Sequence, residues 1–113
     1  MKKNRNFLDF VPVREGKHRW EEKEDGTVTV HVVHDGLFDK IAQRFFHRPA
    51  LTHLSLDETG SFVWKSIDGK RTVYDIAGLL KEQYSEKAEP LYERLAQYIM
   101  ILKNNELIRL ENH

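Results

Sequence analysis

Between Leu56 and Ile76 the chain reads LDETGSFVWKSIDGKRTVYDI, and this stretch leaves few ways to fold. Leu56, Gly60, Val63, Trp64 and Ile67 recur at intervals of three and four, the period of one helix face. Asp68-Gly69 stops that helix, because glycine takes the left-handed conformation that commonly follows a helix end. Thr72 with Asp75 fits a capping box that starts a second helix, with Val73, Ile76, Ala77 and Leu80 as its apolar stripe and Tyr84 one turn further on. Ser55 with Glu58 fits the same pattern at the start of the first helix. Gly60 lowers helix propensity, so its place on the stripe implies close packing against another backbone. The stretch holds no assembled catalytic group. It reads as core, a rigid platform whose function lies on the strand before it and the helix after it.

That later helix is expected to begin near Ala88, since Pro90 is tolerated only in a first turn. Leu91, Leu95, Tyr98, Ile99 and Leu102 make its inner face, and Tyr92, Ala96 and Met100 form a second apolar row beside it. So wide an apolar face must be covered. The cover is either another segment of this chain or a bound partner. Leu107 to Leu110 is a terminal turn or a short strand.

Upstream, Asp25-Gly26 lies between two extended runs, HRWEEKE and TVTVHVVH, a strong hairpin signal because both residues tolerate positive φ. Val28, Val30 and Val32 share one strand face by the period of two. The first strand has Trp20 as its one apolar residue, which marks it as an edge. Phe38, Ile41, Ala42 and Phe45 follow with helical spacing, Asp35 as a plausible cap and Pro49 as the stop. Leu51 to Leu56 is a short strand. The start, Phe7 to Val13, is an apolar arm interrupted by Asp9 and Pro12, either an extended strand or a tail over the core. The order is hairpin, inserted helix, strand and three helices, which implies an α+β fold with a winged-helix-like arrangement. One domain is expected over 1–113: an arm at 1–14, a hairpin at 15–34, an inserted helix at 35–50, and a strand with three helices at 51–110.

The 113 residues suffice for one core. Without cysteine, disulfides and thiolate metal sites are excluded. Lys and Arg balance Asp and Glu, 18 against 18, so there is no long-range pull towards nucleic acid or an anionic membrane. The basic, then apolar, start is too short and too interrupted for a signal peptide, and no stretch approaches a membrane span. A cytoplasmic protein is the default, either monomer or homodimer, since the arm could pair between protomers.

Candidate chemistry is sparse. His31, His34, His47 and His53 invite a metal reading, but His31 and His34 point to opposite faces of a strand and no cysteine supports them. Asp57 and Glu58 are adjacent carboxylates at a helix start, where capping explains both. There is no phosphate loop, nucleophile elbow or histidine–carboxylate signature, so neither an enzyme nor a cofactor is expected. A winged-helix DNA-binding protein is the main rival. However, its reading helix would start with Glu89 and Glu93 against Arg94, and residues 51–113 hold eight basic against ten acidic residues, a net of −2. A structural subunit of a larger enzyme is a third reading.

The ordered set of Leu-Asp-Glu before a helix, Asp-Gly after it, Arg-Thr-Val opening the next, and the Leu107-Ile108 pair closing a long helix resembles the PqqD family. These are small proteins of pyrroloquinoline quinone biosynthesis, similar to the recognition elements of ribosomal natural-product pathways. The resemblance covers roughly Leu51 to Leu110. It implies a non-catalytic peptide-binding module that takes the leader segment of a precursor peptide and presents it to a maturation enzyme, often a radical SAM protein. In the resemblance the peptide lies along the strand before the first core helix and against the third. That places the site at Leu51, Thr52, His53, Leu54 and Ser55, with Tyr92, Ala96 and Ile99 as an apolar wall and Lys103 at its far end. The inserted segment from Leu37 to Pro49 departs from the family pattern and could flank or cover the groove.

Overall fold

Alternating valines set the sheet. The computed structural model describes residues 7–35, 40, 43–44 and 51–112. β1 (Val11–Arg14) follows a short 3-10 turn at Phe7–Asp9; β2 (Arg19–Glu22), β3 (Val28–Val33) and β4 (Leu51–Ser55) form an antiparallel sheet in that order. Val28, Val30 and Val32 turn inward from β3 and are buried, as their period of two requires. β2 is an exposed edge, from which Trp20 leans inward to meet Trp64 edge-on at 6.2 Å. The β2–β3 loop turns at Gly26, with φ 86°, while the Asp25 carboxylate accepts from the Thr27 backbone and hydroxyl. Lys65 pins this loop down by donating to Glu22 and to the Gly26 carbonyl.

Three helices follow: α1 (Glu58–Ser66), α2 (Val73–Tyr84) and α3 (Leu91–Asn104). Val63, Trp64 and Ile67 from α1, Ile76 and Leu80 from α2, and Leu95, Ile99 and Leu102 from α3 meet in one cluster with the β3 valines. The Asp-Gly stop behaves as its chemistry dictates. Gly69 has φ 79°, and the Asp68 carboxylate accepts from the backbone of Lys70 and Arg71. Those two donors hold the Asp68 carboxyl below its usual range. Thr72 and Asp75 form the capping box in both directions.

Several local expectations are corrected. Ser55 does not cap α1: the strand runs on until the Leu56 amide donates to the Val28 carbonyl, so the cap falls to Asp57, which accepts from Gly60. Gly60 is needed for a side chain rather than a backbone, since a Cβ there would lie 2.9 Å from the Tyr98 ring. Ala88 sits in a 3-10 turn at Ser85–Ala88, and α3 begins after Pro90. Of the two readings of the apolar arm, the extended strand holds for Val11 to Arg14, while Phe7 and Leu8 before it pack against the core. β1 pairs with β5 (Ile108–Glu111), so the two ends of the chain make a second, two-stranded antiparallel sheet. The Val73 amide donates to the Phe10 carbonyl and fastens the arm to the start of α2. The expected helix at 35–50 lies largely outside the described residues; Lys40, Gln43 and Arg44 within it are helical. His18, buried, accepts from the Val33 amide at Nδ1, which leaves Nε2 to donate to the Glu106 carbonyl. It thereby ties the end of β3 to the α3–β5 turn.

Candidate functional site

β4 carries the candidate site because, among the described residues, it is a sheet edge. Among the described residues it pairs with β3 alone, in the register Val33↔Leu51 to Thr29↔Ser55, and its other side has no strand partner. Unpaired amides and carbonyls along such an edge can receive an extended chain. Leu54 and the following Leu56 lean onto the core, whereas His53 and Ser55 are exposed on the outer face. The alternation expected of Leu51 to Leu56 therefore holds for these four residues.

The outer face carries a histidine pair. His31 on β3 and His53 on β4 stand opposite each other, Nδ1 to Nδ1 at 2.6 Å with rings edge-on. One nitrogen must donate and the other accept. Glu21 lies 3.8 Å from the far nitrogen of His31. His34 points the other way, to the Thr52 hydroxyl at 2.8 Å, and His47 lies outside the described residues. Among the described residues no three His, Asp or Glu side chains converge as a metal-binding group.

α3 meets the start of α1, just beyond β4, through Tyr98. Its hydroxyl donates to the Asp57 carboxylate, 3.0 and 2.9 Å from the two oxygens, and its ring covers Gly60. Burial, then the hydrogen bond to Asp57, pushes the Tyr98 hydroxyl pKa up. Asp57 thus caps α1 and locks α1 to α3, a second role that adjacent capping carboxylates do not announce in sequence. Ile101, less than one turn beyond Tyr98, is 53% exposed.

The expected wall residues do not stand together on this flank. Ile99 is fully buried among Leu95 and Leu102, so it is core and not groove surface. Tyr92 lies six residues before Tyr98, about 120° around the helix. It opens instead onto a surface groove of about 620 Å³ between α2 and α3 that also exposes Tyr74 and Gly78. Ala96 is half-buried and Lys103 exposed, and 100° per residue puts both on the Tyr92 side. Spacing alone groups Tyr98 with the inner face. Only its hydroxyl, which needs a partner at the edge of a core, signals a border position.

Fold and site together define a small α+β module with a three-stranded sheet, a helix cluster on one face and, among the described residues, β4 as a sheet edge near α3. Comparison with known families is consistent with that. The model of the family described as coenzyme PQQ synthesis protein D (PqqD) matches residues 49–108, and the chain belongs to this family. No curated protein and no solved structure matches the chain. Membership places it among accessory proteins of cofactor biosynthesis. Among the described residues no helix is long and apolar enough to cross a membrane.

Proposed function

We propose that this protein is a non-catalytic module that binds the leader segment of a ribosomally made precursor peptide and presents it to a maturation enzyme, a radical SAM protein being the partner class the family suggests. The observation that carries the reading is the β4 edge, paired on one side only among the described residues. A peptide added there gains backbone hydrogen bonds with little demand on its sequence, and neighbouring side chains select it. The wall of the groove is the Tyr98 flank of α3, with Ile101 exposed beside it, rather than the Tyr92 flank. The Tyr98–Asp57 contact supports this choice because Asp57 lies two residues beyond the end of β4.

The test is a titration of isotope-labelled protein with the leader peptide encoded beside the gene, read as amide shifts. The largest shifts are expected at residues 51–55. Ile101→Glu should abolish binding with the fold intact, since the side chain is exposed, and Ala96→Trp should leave binding unchanged. Loss of binding by Ala96→Trp, with Ile101→Glu silent, would return the wall to Tyr92, Ala96 and Lys103. Shifts confined to the Asp25-Gly26 tip, with 51–55 unmoved, would overturn docking on β4.

A further inference from the structure

The outer face of the three-stranded sheet brings two ring nitrogens to one point, a feature that stands whether or not a peptide docks on β4. His31 and His53 are direct cross-strand partners on β3 and β4. Strand alternation puts both on the face opposite the buried Val30, Val32 and the inward-leaning Leu54. Their Nδ1 atoms lie 2.6 Å apart, with the ring planes at 89°. The other described histidines are engaged elsewhere. His18 uses both ring nitrogens on backbone groups, and His34 meets the Thr52 hydroxyl. The backbone pairing of the two strands already holds the two rings together, so little freedom is lost when a third atom joins them.

The surroundings suit a cation. Glu21 lies 3.8 Å from Nε2 of His31. A carboxylate there favours the proton on Nε2 and leaves Nδ1 as a lone-pair donor, the usual arrangement behind a metal-binding imidazole. His53 then carries its proton on Nδ1, aimed at His31. Its side chain is exposed, so the proton can sit on Nε2 instead, and a small rotation of the rings turns both Nδ1 lone pairs onto one ion. No proton is gained or lost in that exchange. Arg19, opposite His31 in the register, brings a positive charge to this face, and Glu21 offsets it.

We propose that His31 and His53 form a two-ligand clamp for a divalent late transition-metal ion, Cu(II) or Ni(II), which fastens β4 to β3. Metal–nitrogen bonds of about 2.0–2.1 Å hold two ligands at a right angle about 2.8–3.0 Å apart, whereas a tetrahedral angle needs about 3.3–3.4 Å. The 2.6 Å separation is nearer the first, and right-angled coordination is the preference of Cu(II) and Ni(II) rather than of zinc. Water fills the other positions, since no third His, Asp or Glu converges on the pair among the described residues.

The experiment titrates the full chain with Cu(II), Ni(II) and Zn(II) in a non-coordinating buffer at neutral pH, read by calorimetry and, for Cu(II), by electron paramagnetic resonance. The first equivalent of Cu(II) should show hyperfine coupling to two imidazole nitrogens, and Ni(II) should bind more tightly than Zn(II). His31→Gln and His53→Gln, both on the outer face, should each weaken Cu(II) binding at least about tenfold, because either loss ends chelation. The double variant should bind about as weakly as either single one; the affinity it keeps belongs to other groups, such as the amino terminus. Added Ni(II) should raise the melting temperature of the parent and leave that of the double variant unchanged. Parental affinity in both single variants, or losses that add in the double variant, would sink the clamp. Zn(II) binding more tightly than Ni(II) would overturn the right-angled assignment, and an unmoved parental melting temperature would overturn the fastening of β4.

Discussion

Two glycines in helices make opposite demands. Gly60 faces the Tyr98 ring, and a methyl group there would meet Tyr98 at 2.9 Å and the Asp57 carboxylate at 3.0 Å. Gly60→Ala should therefore lower stability by about 1–3 kcal/mol despite the better helix propensity of alanine, because overpacking outweighs it. Gly78, in α2, has open space where its Cβ would go. Gly78→Ala should raise stability by about 0.5–1 kcal/mol through the unfolded chain's lost freedom. Chemical denaturation of both variants checks the pair, and equal effects of the same sign would contradict the packing described for Gly60. Asp68 makes a third prediction at this scale. Its folded pKa is depressed by two backbone donors, so its contribution is present above the unfolded carboxylate value of about 4 and is lost as pH falls through the folded value. The Asp68 carboxyl should titrate below the exposed carboxylates in a carbon-detected NMR titration, and Asp68→Asn should remove that part of the acid sensitivity.

At the scale of elements, packing decides what periodicity can only suggest. Leu95 and Trp64 are both fully buried, on α3 and α1. Leu95→Ala should cost about 2–5 kcal/mol, as large-to-small core changes do; a loss under about half a kilocalorie would place α3 in a different helical phase. The three core helices, the hairpin and β4 were legible because their signals are local: stripes at 3.6, valines at period two, Asp-Gly turns, and the Thr72–Asp75 box. What sequence left open depends on distant partners. Val11 to Arg14 became a strand because Ile108 to Glu111 lies beside it, nearly a hundred positions away, and neither segment alone states that pairing. The site was legible in part for the same reason. β4 and its alternation could be read, but how α3 is set against the start of α1 depends on where Tyr98 finds Asp57. Tyr92, Ala96 and Ile99 lie within about 60° of one another around α3, yet Ile99 is buried, Ala96 half-buried and Tyr92 exposed, a difference that phase alone does not give.

For the whole molecule, the family match from 49 to 108 leaves out part of the core. Val28, Val30 and Val32 of β3 fill the same core cluster as Val63, Trp64 and Leu95. Full burial of a valine side chain is worth about 1.5–3 kcal/mol, so removing three forfeits about 5–9 kcal/mol. That is comparable to the entire stability of a small domain, about 5–15 kcal/mol. Removing β3 also strips β4 of the one strand it pairs with among the described residues, leaving its backbone unpaired on both sides. Ile108, buried in the terminal sheet, would lose its β1 partner Arg14 as well. A fragment of residues 49–108 should therefore show no cooperative thermal transition, whereas residues 7–112 should melt in a single one. Circular dichroism melts of the two chains, with amide exchange at Leu54 as the local probe, test this. A cooperative transition in the fragment, with Leu54 protected, would mean that the hairpin and terminal strands decorate a helix core able to stand alone. The β4 edge would then owe its order to α1 and α3 rather than to β3.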